Sequence, residues 1–252
     1  MNAVPFLDIK LIPDQAPNQI GYNTSYKELG IGDGKVHTPN RRPHISEEKI
    51  TNASWKLLED QGIGNFTMRN LAKELNVQAP TIYWYFKNKQ SLFQTLANLV
   101  SREIIQDLPD HGDWRERLKL SATVIRTKLQ QFPCSGQLLM KTRPEADYLQ
   151  LFESLLKIIE PAPLTDEQKF SYTSHLFNFV INYVMDEYEQ RMLAMTSDEE
   201  NNGDSNLDLA QFELLHRMHE ADLFKLIGSD ELFYSGVDLL LDGIEKRVMA
   251  ND

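Results

Sequence analysis

The chain has 252 residues, of which 41% are hydrophobic, so it is long enough for one large domain or two modest ones with a real core. Its formal net charge of -11 argues at first against a nucleic-acid partner, because phosphate contacts need local positive charge. The single cysteine, Cys134, excludes an intrachain disulfide, and no apolar run approaches the roughly 18 residues that span a bilayer. The opening MNAVPFLDIKLIP also lacks the basic start of a signal peptide, so we expect a cytoplasmic protein.

The acidic average hides a basic segment. Residues 41–89 hold eight Lys and Arg against five Asp and Glu, whereas residues 90–252 hold 15 against 28. This asymmetry predicts a mildly basic head on an acidic body.

Residues 1–45 contain five prolines and no sustained periodicity, which indicates an extended, flexible arm rather than a domain. The arm ends in NRRPH, residues 40–44. Such a basic tail either enters a DNA minor groove or serves only as a linker.

From Ser46 onward the apolar residues recur at helical spacing. The first helix, about 46–61, ends at Gly62 and Gly64, and Thr67 caps a short second helix. Asn76 suits the following turn, Pro80 begins a very short third helix, and KNKQSL opens a fourth that runs to about residue 108. Further helices are predicted at about 112–131, 134–141, 145–160, 165–193, 207–226 and 229–249, with an acidic loop, TSDEENNGDSN, between 193 and 207. Nothing in the pattern predicts a strand, so we expect an all-α fold.

The second and third helices, in GNFTMRNLAKELNVQAPTIYWYF, have the outline of a helix-turn-helix. Gln78, Ala79 and Thr81 lie at the start of the third helix, where a recognition helix meets base edges. Lys87 and Lys89 begin the next helix, where positive charge and free N–H groups suit phosphate oxygens.

Three consecutive aromatic residues, Tyr83, Trp84 and Tyr85, point around most of a helix, so some of these rings must face outward. Exposed rings beside a recognition helix can pack against sugar and phosphate. Tyr83 can instead pin the third helix to its neighbours, as we expect for Phe86, and Trp84 suits packing and contact equally well. Ala79 can at most touch a thymine methyl.

Residues 50–96 resemble the DNA-binding domain of the TetR family of bacterial repressors. The resemblance rests on FTMRNLAKELNV, then a small residue or proline before TIYWYF, then KNK, two further residues and a leucine. It implies that Thr67 and Arg69 contact DNA from the supporting helix, although Thr67 also suits a plain cap. The positions that it assigns to the reading surface are Gln78, Ala79, Thr81, Trp84 and Tyr85. It assigns Tyr83 and Lys89 to phosphate.

The body resembles the tetracycline-repressor class of that family, through KTRPEADYLQLFESL, VMDEYEQ and a last helix ending GIEKR. Thr142, Arg143 and Pro144 match a turn that borders the drug pocket in that class, and Asp186 matches an acid that helps to hold the drug's magnesium. Leu139 and Ile105 stand where that class has histidines, so we expect an effector other than tetracycline, and we predict no metal-binding residues and no cofactor. Whether a metal accompanies the effector is left open.

The pocket for this effector is expected to be mostly apolar. Its candidate lining residues are Thr142, Arg143, Phe179, Tyr183 and Asp186. Phe179 and Tyr183 also suit ordinary core at i, i+4 spacing, and Arg143 and Asp186 suit an ion pair. His216, His219 and Glu220 lie close on one helix, but three mixed ligands without a fourth are weak evidence for zinc.

The predicted architecture is a flexible arm (1–45), an N-terminal three-helix helix-turn-helix DNA-binding domain (46–92) and a larger helical ligand-binding and dimerisation domain (93–252). Apolar stripes on the two longest body helices predict the four-helix seam of a homodimer. Such a dimer places two recognition helices about 34–36 Å apart on a palindromic operator in double-stranded DNA.

The predicted function is a repressor that a small molecule releases from this operator. The alternatives are an architectural DNA-binding dimer without ligand sensing and a helical enzyme. No catalytic residue is predicted, because no phosphate loop, nucleophile elbow or Cys/His pairing is present in the sequence.

Overall fold

The structure, a computed structural model, describes residues 45–200 and 211–251. These ranges contain ten α-helices, one 3₁₀ turn and no strand, which confirms the predicted all-α fold. The predicted arm lies outside the described residues except for Ile45. The helices are α1 (Glu47–Asn65), α2 (Met68–Glu74), α3 (Ala79–Tyr83), α4 (Lys89–Gln106), α5 (Trp114–Gln131), α6 (Ser135–Lys141), α7 (Ala146–Ile159), α8 (Asp166–Glu200), α9 (Glu213–Glu220) and α10 (Asp230–Asn251).

Local capping fixes where the first helices begin. The Ser46 side chain accepts a hydrogen bond from the Lys49 N–H, and Asn88 forms a reciprocal capping box with Ser91 at the start of α4. α1 departs from the predicted end at residue 61. The backbone breaks at Gly62, with φ 68° and ψ 169°, and then continues in helical form to Asn65. Only glycine adopts that conformation without strain, so the glycine at position 62 accounts for the break.

The head, α1 to α3 with the start of α4, closes around one end of the apolar core. Each of its helices supplies residues to this core, and so do the segments between them. The fully buried members include Ile50, Leu58, Phe66, Leu71, Ile82 and Leu92. The same core continues along α4 through Leu96, Val100 and Ile104 into the body. α4 is therefore shared by the head and the body, where it packs on α5, α6 and α7.

The body is a helical bundle in which α5 packs on α7, α8 and α10. Two of its boundaries differ from the prediction. α8 continues to Glu200 through the first part of the predicted acidic loop, and residues 201–210 lie outside the described residues. The helix predicted over 207–226 is instead α9 followed by a 3₁₀ turn, Leu223–Leu226, because Asp222 takes a left-handed φ of 58° between them.

The apolar stripes assigned to a dimer seam are largely taken up within the protomer. On α10, Phe233, Val237, Leu241 and Ile244 are buried in the core of the single chain, and Leu176, Val180 and Val184 on α8 are buried with them. These buried side chains are therefore not available to a partner, because a stripe in the sequence does not reveal whether it faces its own chain or a second copy. The four-helix seam of a homodimer stays a prediction. The outer face of α10 carries the exposed Leu232, Leu239 and Met249.

Candidate nucleic-acid interface and effector region

The turn between α2 and α3 has the local geometry of a helix-turn-helix. Asn76 takes the left-handed conformation with φ 51°, and the Val77 N–H donates to the Ala72 carbonyl at 2.9 Å. At the other end of α2, the Thr67 hydroxyl accepts a hydrogen bond from the Asn70 N–H at 3.1 Å. Thr67 and Arg69 both remain exposed, so capping does not hide Thr67 from a phosphate group.

The start of α3 presents polar side chains to solvent. Gln78 is exposed, holds the N-cap position in an extended conformation, and uses no side-chain atom to cap α3 within the described structure. Pro80 lies in the first turn, where its missing N–H costs no helical hydrogen bond. Ala79 and Thr81 are half-buried beside it. The Gln78 amide is thus free to pair with a base edge in a major groove.

The four rings from Tyr83 to Phe86 differ in how far they are exposed to solvent. Tyr83 is 49% exposed, Trp84 88% and Tyr85 43%, whereas Phe86 is 3% exposed. Phe86 packs in the head core, as predicted. Trp84 is too exposed to serve packing within the described protomer, and its contact with DNA stays a prediction. The Tyr85 hydroxyl donates to the Ile45 carbonyl at 2.6 Å, which ties this ring to the start of the head.

The ammonium group of Lys89 is bound to the protein itself and does not point freely into solvent. Its Nζ donates to the carbonyls of Phe66 at 2.6 Å and Ile63 at 3.3 Å, and it lies over the rings of Phe66 and Phe93. Burial, and then the nearby charge of Lys141, hold the pKa of Lys89 below its usual range. These contacts compete with the phosphate contact predicted for Lys89, whereas the neighbouring Lys87 is exposed.

In the predicted effector region, two of the five candidates lie in core packing. Phe179 stacks on Phe233 at 6.0 Å between ring centroids, and a Cβ at Gly236 would collide with the Phe179 ring. Tyr183 contacts Phe233 edge-on, and its hydroxyl donates to the Ser229 carbonyl at 2.7 Å. α8 and α10 therefore meet through these rings, the alternative that the i, i+4 spacing had left open.

The other three candidates lie elsewhere. The backbone of Arg143 exchanges two hydrogen bonds with the Gln94 side chain on α4, and the Thr142 hydroxyl donates to the Leu138 carbonyl. Asp186 is exposed, and the ion pair considered between Arg143 and Asp186 is not formed. None of the five lines either of two cavities found in the described part of the chain. A role in ligand binding therefore stays a prediction for all five.

The body contains a buried ion pair, Arg126 with Glu187, which the sequence analysis did not predict and to which the exposed Asp230 adds a second carboxylate. The Arg126 guanidinium lies 4.4 Å from the centre of the Phe233 ring and pairs with Glu187 and, at 2.8 Å, with Asp230. Gln130 donates to the same Glu187 carboxylate at 2.9 Å. Desolvation lowers the pKa of Arg126, but hydrogen bonds to Glu187 and Asp230 outweigh it and raise the pKa overall. The cluster joins α5, α8 and α10.

Two further expectations concern metals and membranes. No group of three or more His, Cys, Asp or Glu side chains suited to a metal ion occurs in the residues that the structure describes. His216 Nε2 lies 3.6 Å from Glu220 Oε1, and these two side chains form an exposed i, i+4 pair. Across residues 45–200 and 211–251, none of the helices is long and apolar enough to cross a bilayer.

The helix-turn-helix with its exposed recognition surface defines a DNA-binding protein. Residues 50–96 match the model "Bacterial regulatory proteins, tetR family", and residues 107–248 match "Tetracyclin repressor-like, C-terminal domain". Because the second match alone covers more than half of the chain, the chain belongs to the TetR family. The predicted function, a ligand-responsive DNA-binding repressor, is confirmed at the level of this family.

Individual relatives agree with this assignment. The chain is 28% identical over 214 residues to the tetracycline repressor protein class C of Escherichia coli, covering 82% of this chain and 94% of that protein. The crystal structure of TetR from Acinetobacter baumannii AYE matches with a TM-score of 0.59 at 28% identity, over 80% of this chain and 97% of that one. A possible TetR family regulator from Streptomyces coelicolor A3(2) shares the fold, with a TM-score of 0.63 at 23% identity, over 80% and 99% of the two chains.

Proposed function

We propose that the chain is a homodimeric repressor that reads a palindromic operator in double-stranded DNA and is released by a small molecule other than tetracycline. The observation that carries the DNA-binding part is the surface of α3, which has the exposed Gln78 at its start and the 88% exposed Trp84 at its end. The amide supplies base readout and the ring supplies contact area on sugar and phosphate. Arg69 on α2 and Lys87 in the turn before α4 supply exposed positive charge.

The proposed effector differs from the tetracycline of the relatives' names because the chain lacks imidazole ligands for a metal at the matching positions. Leu139 is buried and Ile105 is half-buried, so both are placed as apolar packing residues. Neither side chain can bind magnesium or the hydroxyls of a drug. The remaining matches, Thr142, Arg143 and Asp186, are proposed to border the effector site with Phe179 and Tyr183 as its apolar wall.

The protein is proposed to act in the cytoplasm, without a cofactor and without catalysis. Two recognition helices about 34–36 Å apart require two copies of the chain. The acidic body, with 28 acids against 15 basic residues in 90–252, disfavours nonspecific wrapping of DNA by electrostatic repulsion.

The test is selection of duplexes from a random library by the full chain at low salt. We expect one palindrome to be enriched by the wild type. Gln78→Ala is expected to relax base choice at one position of each half-site, at a cost of about 1–3 kcal/mol for the preferred base. Gln150→Ala, an exposed amide on α7, is the matched control and should select the wild-type palindrome. Failure of the wild type to enrich any sequence would overturn the proposal.

A further inference from the structure

The point where the chain enters the head lies beside the proposed recognition surface. The Ile45 carbonyl accepts a hydrogen bond of 2.6 Å from the Tyr85 hydroxyl, although 40 residues separate the two in the sequence. Tyr85 is 43% exposed and directly follows Trp84, which is 88% exposed at the end of α3. The residues that precede Ile45 are therefore attached to the head next to side chains that we propose to contact DNA.

Three local features fix this entry point. The Ile45 side chain is buried in the apolar core. Ser46 has an extended backbone, with φ -119° and ψ 160°, and caps α1 by accepting a hydrogen bond from the Lys49 N–H. The hydrogen bond from Tyr85 then links the entry point to the segment between α3 and α4, and it is partly buried, where a lost partner costs more than in water. The fold of the head thus sets where the arm begins.

The positive charge of the arm is concentrated immediately before this point. Residues 34–46 include Lys35, Arg41 and Arg42 and no Asp or Glu, whereas residues 1–33 hold four acids against two lysines. Arg42 is three residues before Ile45 and Arg41 is four, so a fully extended chain places their Cα atoms at most about 11 and 14 Å from that of Ile45. A duplex carries one phosphate charge about every 1.7 Å along its axis, so several phosphates fall within this radius of a bound head.

The nearest acids in the sequence do not account for these arginines. Glu47 and Glu48 lie in the first turn of α1, where negative charge stabilises a helix N-terminus, and both are exposed. An exposed ion pair with either acid is worth little, because water screens it and both side chains lose conformational freedom. A duplex offers phosphates at high density and releases condensed counterions when arginine binds, which a single carboxylate does not. DNA is therefore the partner that this charge fits best.

From these observations we infer that Arg41 and Arg42 bind phosphates of the DNA backbone beside each half-site, and that the Tyr85 hydroxyl is the positioning group that directs them there. The inference rests on the proposed function, because it needs the surface of α3 to face a duplex. The contact is with phosphate, since neither the charge nor the attachment of the arm selects a base. Tyr85 then acts through the Ile45 carbonyl and not through a base edge.

The test measures the affinity of the full chain for the selected duplex, and for an unrelated duplex, over a series of salt concentrations. Arg41→Gln/Arg42→Gln is expected to bind the selected duplex at least about tenfold more weakly, and the slope of log affinity against log salt should become shallower by about 2–4 for a dimer. The preferred palindrome should stay the same. The matched control, Arg191→Gln/Arg217→Gln, removes the same charge from two exposed positions of the body and should behave as the wild type.

A double-mutant cycle separates positioning by Tyr85 from a direct contact of its ring with DNA. Tyr85→Phe removes only the hydroxyl that holds Ile45, so it should weaken binding about threefold in the wild-type chain but not in the chain without the two arginines. Tyr83→Phe removes a hydroxyl that does not hold Ile45, so its effect should be equal in both chains. Urea unfolding curves establish that each variant is folded before affinities are compared.

Unchanged affinity and salt slope in Arg41→Gln/Arg42→Gln would overturn the phosphate contact, and an altered choice of flanking bases by this variant would overturn it in favour of base readout. An equal effect of Tyr85→Phe in both chains would overturn the positioning role. The unrelated duplex separates this inference from the proposed function, because phosphate contacts do not depend on sequence. A wild type that enriches no palindrome, but binds the unrelated duplex through Arg41 and Arg42, would overturn the proposed function and support the phosphate contact.

Discussion

Lys89 illustrates how one residue serves the fold in a place where charge also suits DNA. Its Nζ holds the carbonyls of Ile63 and Phe66, which lie past the break at Gly62 where α1 can no longer pair them. These two acceptors connect the end of α1 to the start of α4. Removal of the ammonium group leaves them without this donor, so Lys89 is expected to matter for stability as well as for affinity.

We expect Lys89→Met to lower the free energy of unfolding by about 1–3 kcal/mol, measured by urea denaturation. Lys87→Met is the matched control, because the Lys87 side chain is exposed: it should leave the unfolding curve unchanged and reduce the salt dependence of DNA binding. Identical unfolding curves for Lys89→Met and the wild type would contradict the structural role of Lys89.

The phenol of Tyr188 gives a second prediction at this scale. Burial, and then its contact with Cys134, raise the pKa of Tyr188 from an ordinary 10 to about 12. The folded state keeps the proton longer than the unfolded state, so this contribution to stability is complete below pH 10 and is lost as the pH rises through 12. Alkaline difference spectra of wild type against Tyr188→Phe should place this phenol near 12; titration near 10 would contradict the burial.

At the scale of the helix, two glycines near the end of α1 differ in backbone conformation. Gly62 has φ 68° and ψ 169°, whereas Gly64 lies in the helical part that follows, and a Cβ at either position would meet no atom within 4 Å. Any cost of a substitution at Gly62 therefore comes from the backbone alone, which makes the pair a direct test of strain.

Gly62→Ala is expected to destabilise the protein by about 1–3 kcal/mol, because alanine is strained at this φ and ψ. Gly64→Ala should be neutral or stabilising by up to about 1 kcal/mol, because alanine lowers the entropy of the unfolded chain. Urea midpoints of the two variants provide the comparison. Equal midpoints would show that α1 does not keep this break in solution.

The start and stop signals of the helices could be predicted because they are local. Thr67 caps α2, Asn76 turns left-handed, and Pro80 opens α3, each by interactions within a few residues. The end of α8 at Glu200 could not, because acidic residues without apolar neighbours do not by themselves reveal a continuing helix.

In the candidate sites, too, local features could be predicted and contacts between distant residues could not. The outward rings near Trp84 followed from their consecutive order, which no single helix face can bury. The contacts of Lys89 with Ile63 and Phe66, and of Phe179 with Phe233, join residues far apart in sequence. Spacing along one helix says which residues share a face, but not what the other helix places against that face. The ligand region and the contacts of Lys89 therefore needed three-dimensional information, whereas the outward direction of the aromatic rings did not.

For the whole molecule, the outer face of α10 is the place where a second copy is expected. Leu239 is 74% exposed, and Gly243, one turn further along, leaves open space where a side chain would stand. The inner face is already used by Phe233 and Leu241 within the protomer. In a two-fold symmetric interface each residue near the axis meets its own copy, so one substitution acts twice.

Leu239→Glu is expected to convert the dimer to a monomer, because two carboxylates near the axis repel each other and neither finds water or a partner. Sedimentation equilibrium measures the change, and affinity for the palindrome should fall to that of a single half-site. The matched control is Leu149→Glu on α7, also an exposed leucine, which should remain dimeric. Since Leu239 contributes little to the protomer core, the variant should keep its helical circular dichroism. A Leu239→Glu protein that still sediments as a dimer would place the partner on another face of the body.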